Sequence, residues 1–196
     1  MTRDDLEKLK EIHLAPYMYL ATALIGKARQ AGGNAFRHQL DAMTILIDYG
    51  YISSVLLKAS IIHDLIEDIP EYNRNVILSV DYESPKVYEL VLEVSKREGE
   101  TKAAFLTRIK ETGSREAKVL KCADRISNMI SLGFVNDFEF IERYSTETER
   151  YVYPIAEEVD KNMLFELTCL VKSRRRFLGL IEMRRKYLGE EPHPAP

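Results

Sequence analysis

Apolar residues recur along this chain at steps of three and four, the spacing that lines one face of an α-helix. Val87, Leu90, Val91 and Val94 do so behind Ser84-Pro85, a cap followed by a proline at the first helical position. Thr2 ahead of Asp4 and Asp5 reads as another helix start. The pattern predicts helices over residues 17–30, closed by Gly32-Gly33-Asn34, and over 36–48, stopped by Gly50. Ser53-Ser54 opens a more apolar helix through Leu56, Leu57, Ala59, Ile61, Ile62, Leu65 and Ile66, ending before Pro70. Further helices are expected over residues 101–111 and 114–132, separated by Gly113. Two long amphipathic ones follow over residues 137–159 and 162–188, the first kinked or divided by Pro154. The apolar run around Val76 fits a short strand or a helical turn equally. With no repeat, linker or clear alternating strand, the expected fold is an all-α, single-domain helical bundle over residues 1–188, with residues 189–196 as a frayed tail.

Composition narrows what such a bundle can do. At 196 residues, 45% of them hydrophobic, the chain can bury a continuous core without staples. A net charge of −3 gives no general attraction for nucleic acid or anionic lipid, so a phosphate-rich ligand must be drawn by local charge. Cys122 and Cys169 lack the spacing of a zinc ribbon or a disulfide scaffold. The opening MTRDDLEKLK is not a leader sequence, and no apolar run is long enough to span a membrane, so a reducing cytoplasm is expected.

The segment His63-Asp64-Leu65-Ile66-Glu67-Asp68 places four ionisable groups at the end of an otherwise apolar helix, with His63 one turn from Glu67 and Asp64 one turn from Asp68. Such groups are either solvated at a helix end or compensated by a cation, since burying them unpartnered costs several kcal/mol. His38 lies upstream beside the apolar positions Met43, Ile45, Leu46 and Ile47, where a lone histidine is ordinarily a packing residue. Asp124 and Asn128 lie one turn apart among Val119, Leu120, Ala123 and Ile126, and Asp124 could instead pair at the surface with Lys121 or Arg125. Read together, His38, His63, Asp64 and Asp124 make a two-histidine, two-carboxylate set suited to a first-row divalent metal. Such an ion lowers the pKa of water and polarises a phosphoryl oxygen, and Glu67 is spaced to handle that water's proton.

The order of these pieces resembles the HD phosphohydrolases, and finer motifs resemble the hydrolase half of the RelA/SpoT alarmone enzymes. LKASIIHDLIED is similar to the family's LLHDxxED segment, LKCADRISNMISL to its KxADRxxNM segment, VLEVSK to a stretch ending in Thr-Lys, and Glu147-Thr148 through Tyr153-Pro154 to its ETxxYxPxA segment. The resemblance implies a helical, manganese-dependent enzyme of the cytoplasm. It also implies hydrolysis of the 3′-diphosphate of (p)ppGpp, a small-molecule nucleotide, to pyrophosphate and GDP or GTP. By motif position it makes His38, His63, Asp64 and Asp124 the metal ligands and gives Glu67 and Asp68 the water. Arg29, Asn128 and Ser131 fall to the nucleotide, with Lys121 a further phosphate contact. The chain departs from the family at Gln30, where lysine is usual, at Asn34-Ala35 in place of Pro-Tyr, and at Gln39 in place of the proline after the first histidine. These changes touch the substrate rim and leave the metal set intact. With no α/β pattern after the hydrolase motifs, a small stand-alone alarmone hydrolase is expected.

Two other readings stay open from the residues. The altered rim is compatible with another nucleotide, an adenine alarmone or a phosphorylated cofactor. The late cations Lys172, Arg174, Arg175, Arg176, Arg184, Arg185 and Lys186, interleaved with Phe177, Leu178, Leu180, Ile181 and Tyr187, are compatible with a solvated helix face, a subunit interface of a homo-oligomer, or a non-catalytic RNA- or nucleotide-binding module. Arg125 is expected to pair at the surface.

Overall fold

The computed structural model describes residues 1–69, 71–72 and 74–188, without the side chains of Glu182, Arg184 and Arg185. Twelve α-helices are found among them, and no strand beyond one isolated bridge between Ala28 and Asn34. They are α1 (Arg3–Glu11), α2 (Ala15–Ala21), α3 (Ala35–Asp48), α4 (Ser54–Ile62), α5 (Leu65–Asp68), α6 (Arg74–Leu78), α7 (Ser84–Val94), α8 (Lys102–Thr112), α9 (Arg115–Ser131), α10 (Phe138–Glu147), α11 (Tyr153–Val159) and α12 (Lys161–Leu188). Short polar side chains set the starts: Thr2, Asn34, Ser53, Thr101, Ser114 and Asp137 each accept a hydrogen bond from the first turn they precede. The expected tail lies outside the described residues.

The axis of the bundle is α9. It packs against α3, α4, α7, α8, α11 and α12, and only Arg115, Glu116 and Ile130 escape burial along its length. A helix enclosed on every side must bury its polar residues too, and that is how Lys121, Asp124, Arg125 and Asn128 come inside. Arg125 corrects the expectation of a surface pair. It is fully buried, lies 4.1 Å over the Tyr144 ring, and donates to Glu147 at 2.6 Å and to Thr148 Oγ1 at 3.2 Å.

Two other expectations are adjusted, the helix over residues 17–30 and the one after Ser53, and two points left open are decided, the run around Val76 and the division of residues 137–159. The helix predicted over residues 17–30 ends at Ala21 and tightens into a 3₁₀ turn over Thr22–Leu24. The rest is a turn closed by the Ala28–Asn34 bridge and by the Asn34 side-chain amide, which donates to the Ile25 carbonyl. Gly32 sits there at φ +87°, where a Cβ would come within 2.8 Å of the Ser131 carbonyl oxygen, so this turn can lie against the end of α9 only with glycine. The run around Val76 is helical, as α6. Residues 137–159 are not one helix: a π-helical turn at Thr148–Val152 separates α10 from α11, whose first turn holds Pro154. The helix after Ser53 breaks at His63-Asp64, and α5 starts afresh at Leu65.

The basic C-terminal helix is only partly a solvated face. Arg174 donates to the carbonyls of Met129 and Ile130, completing the end of α9, and Arg175 pairs with Glu142 and Glu149. No helix among the described residues is long and apolar enough to cross a membrane, and Cys122 and Cys169 are free thiols.

Candidate metal centre and phosphate pocket

Three elements bring the acidic and imidazole groups together. His38 comes from the second turn of α3, His63 and Asp64 from the break between α4 and α5, and Asp124 from the middle of α9. The imidazoles of His38 and His63 and a carboxylate oxygen of Asp124 offer ligand atoms that all lie within 4.8 Å of one another. The two rings meet edge to face with centroids 5.0 Å apart. His38 Nε2 stands 3.0 Å from Asp124 Oδ1, and His63 Nε2 stands 3.7 Å from the same atom. Asp64 adjoins both rings, with Oδ1 3.3 Å from His63 Nε2 and Oδ2 3.5 Å from His38 Nε2.

The ring nitrogens facing away from this point are occupied. His63 Nδ1 lies 2.7 Å from the Ser60 carbonyl, an acceptor only, so Nδ1 carries the proton there. His38 Nδ1 lies 2.8 Å from Ser127 Oγ. Both Nε2 atoms are buried and make no hydrogen bond of sound geometry, which for a polar atom inside a protein calls for a partner of another kind. Ligating histidines characteristically direct one nitrogen to the ion while the other is held by an outer hydrogen bond. Nitrogen and carboxylate donors converging on one point fit a first-row divalent cation.

The electrostatics differ between the two rings. Burial pushes the His38 imidazole below its ordinary value, against the pull of Asp124, and so favours the neutral ring that a metal requires. Burial acts the same way on His63, but Asp64 and then Asp124 outweigh it and raise that ring. Asp124 is held well below the usual carboxylate range: burial opposes this, and Lys121 and the two histidines overcome it.

Beside the cluster lies a cavity of about 230 Å³ whose lining includes Asp64, Glu67 and Asp124 together with Arg29, Lys96, Lys102 and Lys121. Phe105 and Tyr144 supply ring walls, and Asn128 lies between Arg29 and Asp124. Asn128 donates to Asp124 Oδ1 at 2.6 Å and accepts from the Arg29 guanidinium. Lys121 donates to Asp124 Oδ2 at 2.5 Å. Glu67 accepts from the Lys96 backbone N–H at 2.8 Å, and burial raises its carboxyl above the usual range. Lys102 reaches solvent at the rim, yet it lines the cavity and makes no ion pair among the described contacts. The Lys121 ammonium nearby, and then desolvation, push it down to about 8.

Of the residues singled out in the sequence, His38, His63, Asp64, Asp124, Glu67, Arg29, Asn128 and Lys121 therefore meet at one place. Four do not line the cavity: the buried rings of His38 and His63 adjoin Asp64 and Asp124, which do, and Asp68 and Ser131 lie apart. Asp68 forms an ion pair with Lys27 at 2.5 Å, and Ser131 is buried behind Asn128 against the Gly32-Gly33 turn. Sequence reasoning passed over Lys102, Phe105, Tyr144, Gln39 and Ser127 as site residues. Lys102 and Phe105 left one signal, a cation and an aromatic one turn apart at the start of α8; the contact between Ser127 and His38 spans 89 positions and left none.

No family model matches the chain, and no curated protein matches it by sequence. Among solved structures it is similar to that of a metazoan ortholog of SpoT described as hydrolysing ppGpp and acting in starvation responses. The likeness covers 89% of this chain and 97% of that one, with a TM-score of 0.67 and 21% identity. The chain thus shares the helical-bundle fold of that structure, and it carries a cluster of two histidines and an aspartate beside the cavity described above.

Proposed function

We propose that residues 1–188 form a single HD-type domain that hydrolyses the 3′-diphosphate of guanosine tetra- or pentaphosphate, releasing pyrophosphate and GDP or GTP, with Mn²⁺ as cofactor. What carries the reading is that two buried imidazole nitrogens without a hydrogen-bonding partner adjoin two carboxylates, Asp64 and Asp124, which line a cavity that also gathers four cations. A monoanionic or neutral substrate would not need Arg29, Lys96, Lys102 and Lys121 together; a chain of phosphates would. The residues fit a divalent ion, with His38, His63, Asp64 and Asp124 as its ligands. When bound, such an ion supplies Lewis-acid activation of the phosphoryl group and of water. The metazoan structure with the same architecture, described as a ppGpp hydrolase, adds support.

Glu67 takes the proton of the attacking water, since its carboxylate reaches the cavity while the Lys96 N–H fixes its orientation. Asp68, held by Lys27 outside the cavity, leaves that role to Glu67 alone. Lys102, Lys96 and Lys121 hold phosphate oxygens, and Arg29, steadied by Asn128, reaches the nucleoside side. Two free thiols fit a reducing cytoplasm.

The rim departures at Gln30 and Ala35 favour keeping a second nucleotide in view. Asn34 does not, because its side chain is spent capping α3 and bonding Ile25. The test is a panel of ppGpp, pppGpp, adenine alarmones and phosphorylated dinucleotide cofactors, assayed with Mn²⁺ and with EDTA. Pyrophosphate release from the guanine alarmones, abolished by EDTA, is expected. Turnover confined to another nucleotide would reassign the substrate, and no metal-dependent turnover of any would leave a binding module.

Lys102 gives this assignment a pH signature. A lysine is charged below its pKa, so its hold on phosphate should weaken as pH rises through about 8. The profile of kcat/KM, which reports groups of the free enzyme, is expected to fall there. Lys102→Arg should shift the fall to higher pH, and Lys102→Met should raise KM and remove this limb.

A further inference from the structure

Gln39 is fully buried next to His38 on α3, and no part of the proposed reaction uses it. Its side-chain amide donates to Asp64 Oδ2 at 2.9 Å. Its own carbonyl, Oε1, is buried without a hydrogen-bonding partner. The orientation of this amide is not arbitrary. An ionised Asp64 only accepts, so only the NH₂ end can face it, and Oε1 is left unpaired as the consequence. A buried acceptor without a partner is unfavourable, and an apolar side chain of the same shape would avoid the cost. Something at this position therefore outweighs it, and the side-chain hydrogen bond that Gln39 makes among the described residues is to Asp64.

Asp64 is also the member of the cluster in most need of restraint. It sits at the break between α4 and α5, its side chain is 32% exposed, and it lacks the lysine and asparagine that hold Asp124. His38 and His63 are each fixed by an outer hydrogen bond, to Ser127 and to the Ser60 carbonyl. The Gln39 amide is the corresponding restraint for Asp64. With Oδ2 engaged by the amide, Oδ1 is the oxygen left toward His63 Nε2, at 3.3 Å.

We infer that Gln39 is a positioning residue of the metal centre: it pins one oxygen of Asp64 so that the other is presented to a divalent cation, and it thereby sets the affinity of the site. The inference rests on the metal-centre part of the reading above and not on the identity of the nucleotide. Outer-sphere partners of this kind typically change metal affinity by about 10–100-fold when removed.

The test is Gln39→Met, which keeps the length and loses the donor, with Gln39→Leu made alongside as a second apolar replacement. Mn²⁺ affinity is read from the electron paramagnetic resonance of the free ion during titration, without substrate, and thermal melting is read on metal-free protein. The expected result is a loss of Mn²⁺ affinity on the order of 10–100-fold. Metal-free melting should stay within about 3 °C of wild type, because water can replace the amide at the part-exposed Asp64 while the unpaired carbonyl disappears. An affinity unchanged within about threefold would overturn the inference, since an outer restraint should weigh more than that. A parallel fall of affinity and metal-free melting, or failure of both variants to fold, would make Gln39 a core residue only and overturn it as well. Wild-type protein that takes up no Mn²⁺ overturns both this role and the functional reading. Protein that binds Mn²⁺ through Gln39 yet hydrolyses no nucleotide overturns the functional reading alone.

Discussion

Replacing Glu67 by Gln is expected to lower hydrolysis by about 10²–10⁴-fold, the usual contribution of a positioned general base, and to leave Mn²⁺ binding unchanged. The separation follows from position. Glu67 lines the cavity and is oriented by the Lys96 N–H, and it is not among the groups whose ligand atoms converge. Gln keeps the shape and can still accept that hydrogen bond, but it cannot take a proton. The sign of the pH dependence is fixed by the same carboxyl. Glu67 must be ionised to act, and burial raises it, so kcat/KM should fall on the acid side at a pH higher than an ordinary glutamate carboxyl would set. Rates and metal contents of the two proteins across pH check this. A Gln variant with full activity would show that the water's proton goes elsewhere.

Arg125→Met is expected to destabilise the fold by about 3 kcal/mol, the lower end of what is lost when one partner of a buried ion pair is removed. The Glu147 carboxylate keeps some solvent, at 23% exposed, which moderates its loss of partner. The reverse change, Glu147→Leu, should cost more, because the guanidinium left behind is fully buried and its Nε already has no partner. The consequence extends to the site, since Arg125 neighbours Asp124 on α9 and Tyr144, the ring beneath it, forms part of the cavity wall. Urea unfolding of both variants measures the effect; a loss under about 1 kcal/mol would show that the pair contributes no more than an exposed one.

Arg125 also marks the limit of reading this chain as a string. Helical spacing around it is that of an ordinary amphipathic helix, and a residue adjacent to Asp124 looks like its surface partner. Only the packing of α9 against neighbours on every side removes the solvent face. The cluster was legible for the opposite reason: His38, His63, Asp64 and Asp124 fall in ordered motifs whose chemistry is coherent, and the fold brings ligand atoms of His38, His63 and Asp124 within 4.8 Å of one another, with Asp64 beside both rings. The break at His63-Asp64 was not legible, because the apolar pattern continues through Leu65 and Ile66 without a glycine or proline. Gln39 looked like a departure at the rim and proves to touch Asp64, while Asn34, counted with it, caps α3. Lys102 carries no motif of its own and enters the site through the way α8 meets the pocket.

The measurement that bears most directly on the centre is a Mn²⁺ titration of the wild-type chain and of His63→Ala, followed by electron spin-echo envelope modulation of the bound ion. One ion per chain, showing modulation from coordinated imidazole nitrogen and lost or greatly weakened in His63→Ala, is the expected result. An ion bound equally by both proteins, or one without any nitrogen coupling, would mean that the buried His38 and His63 serve packing alone.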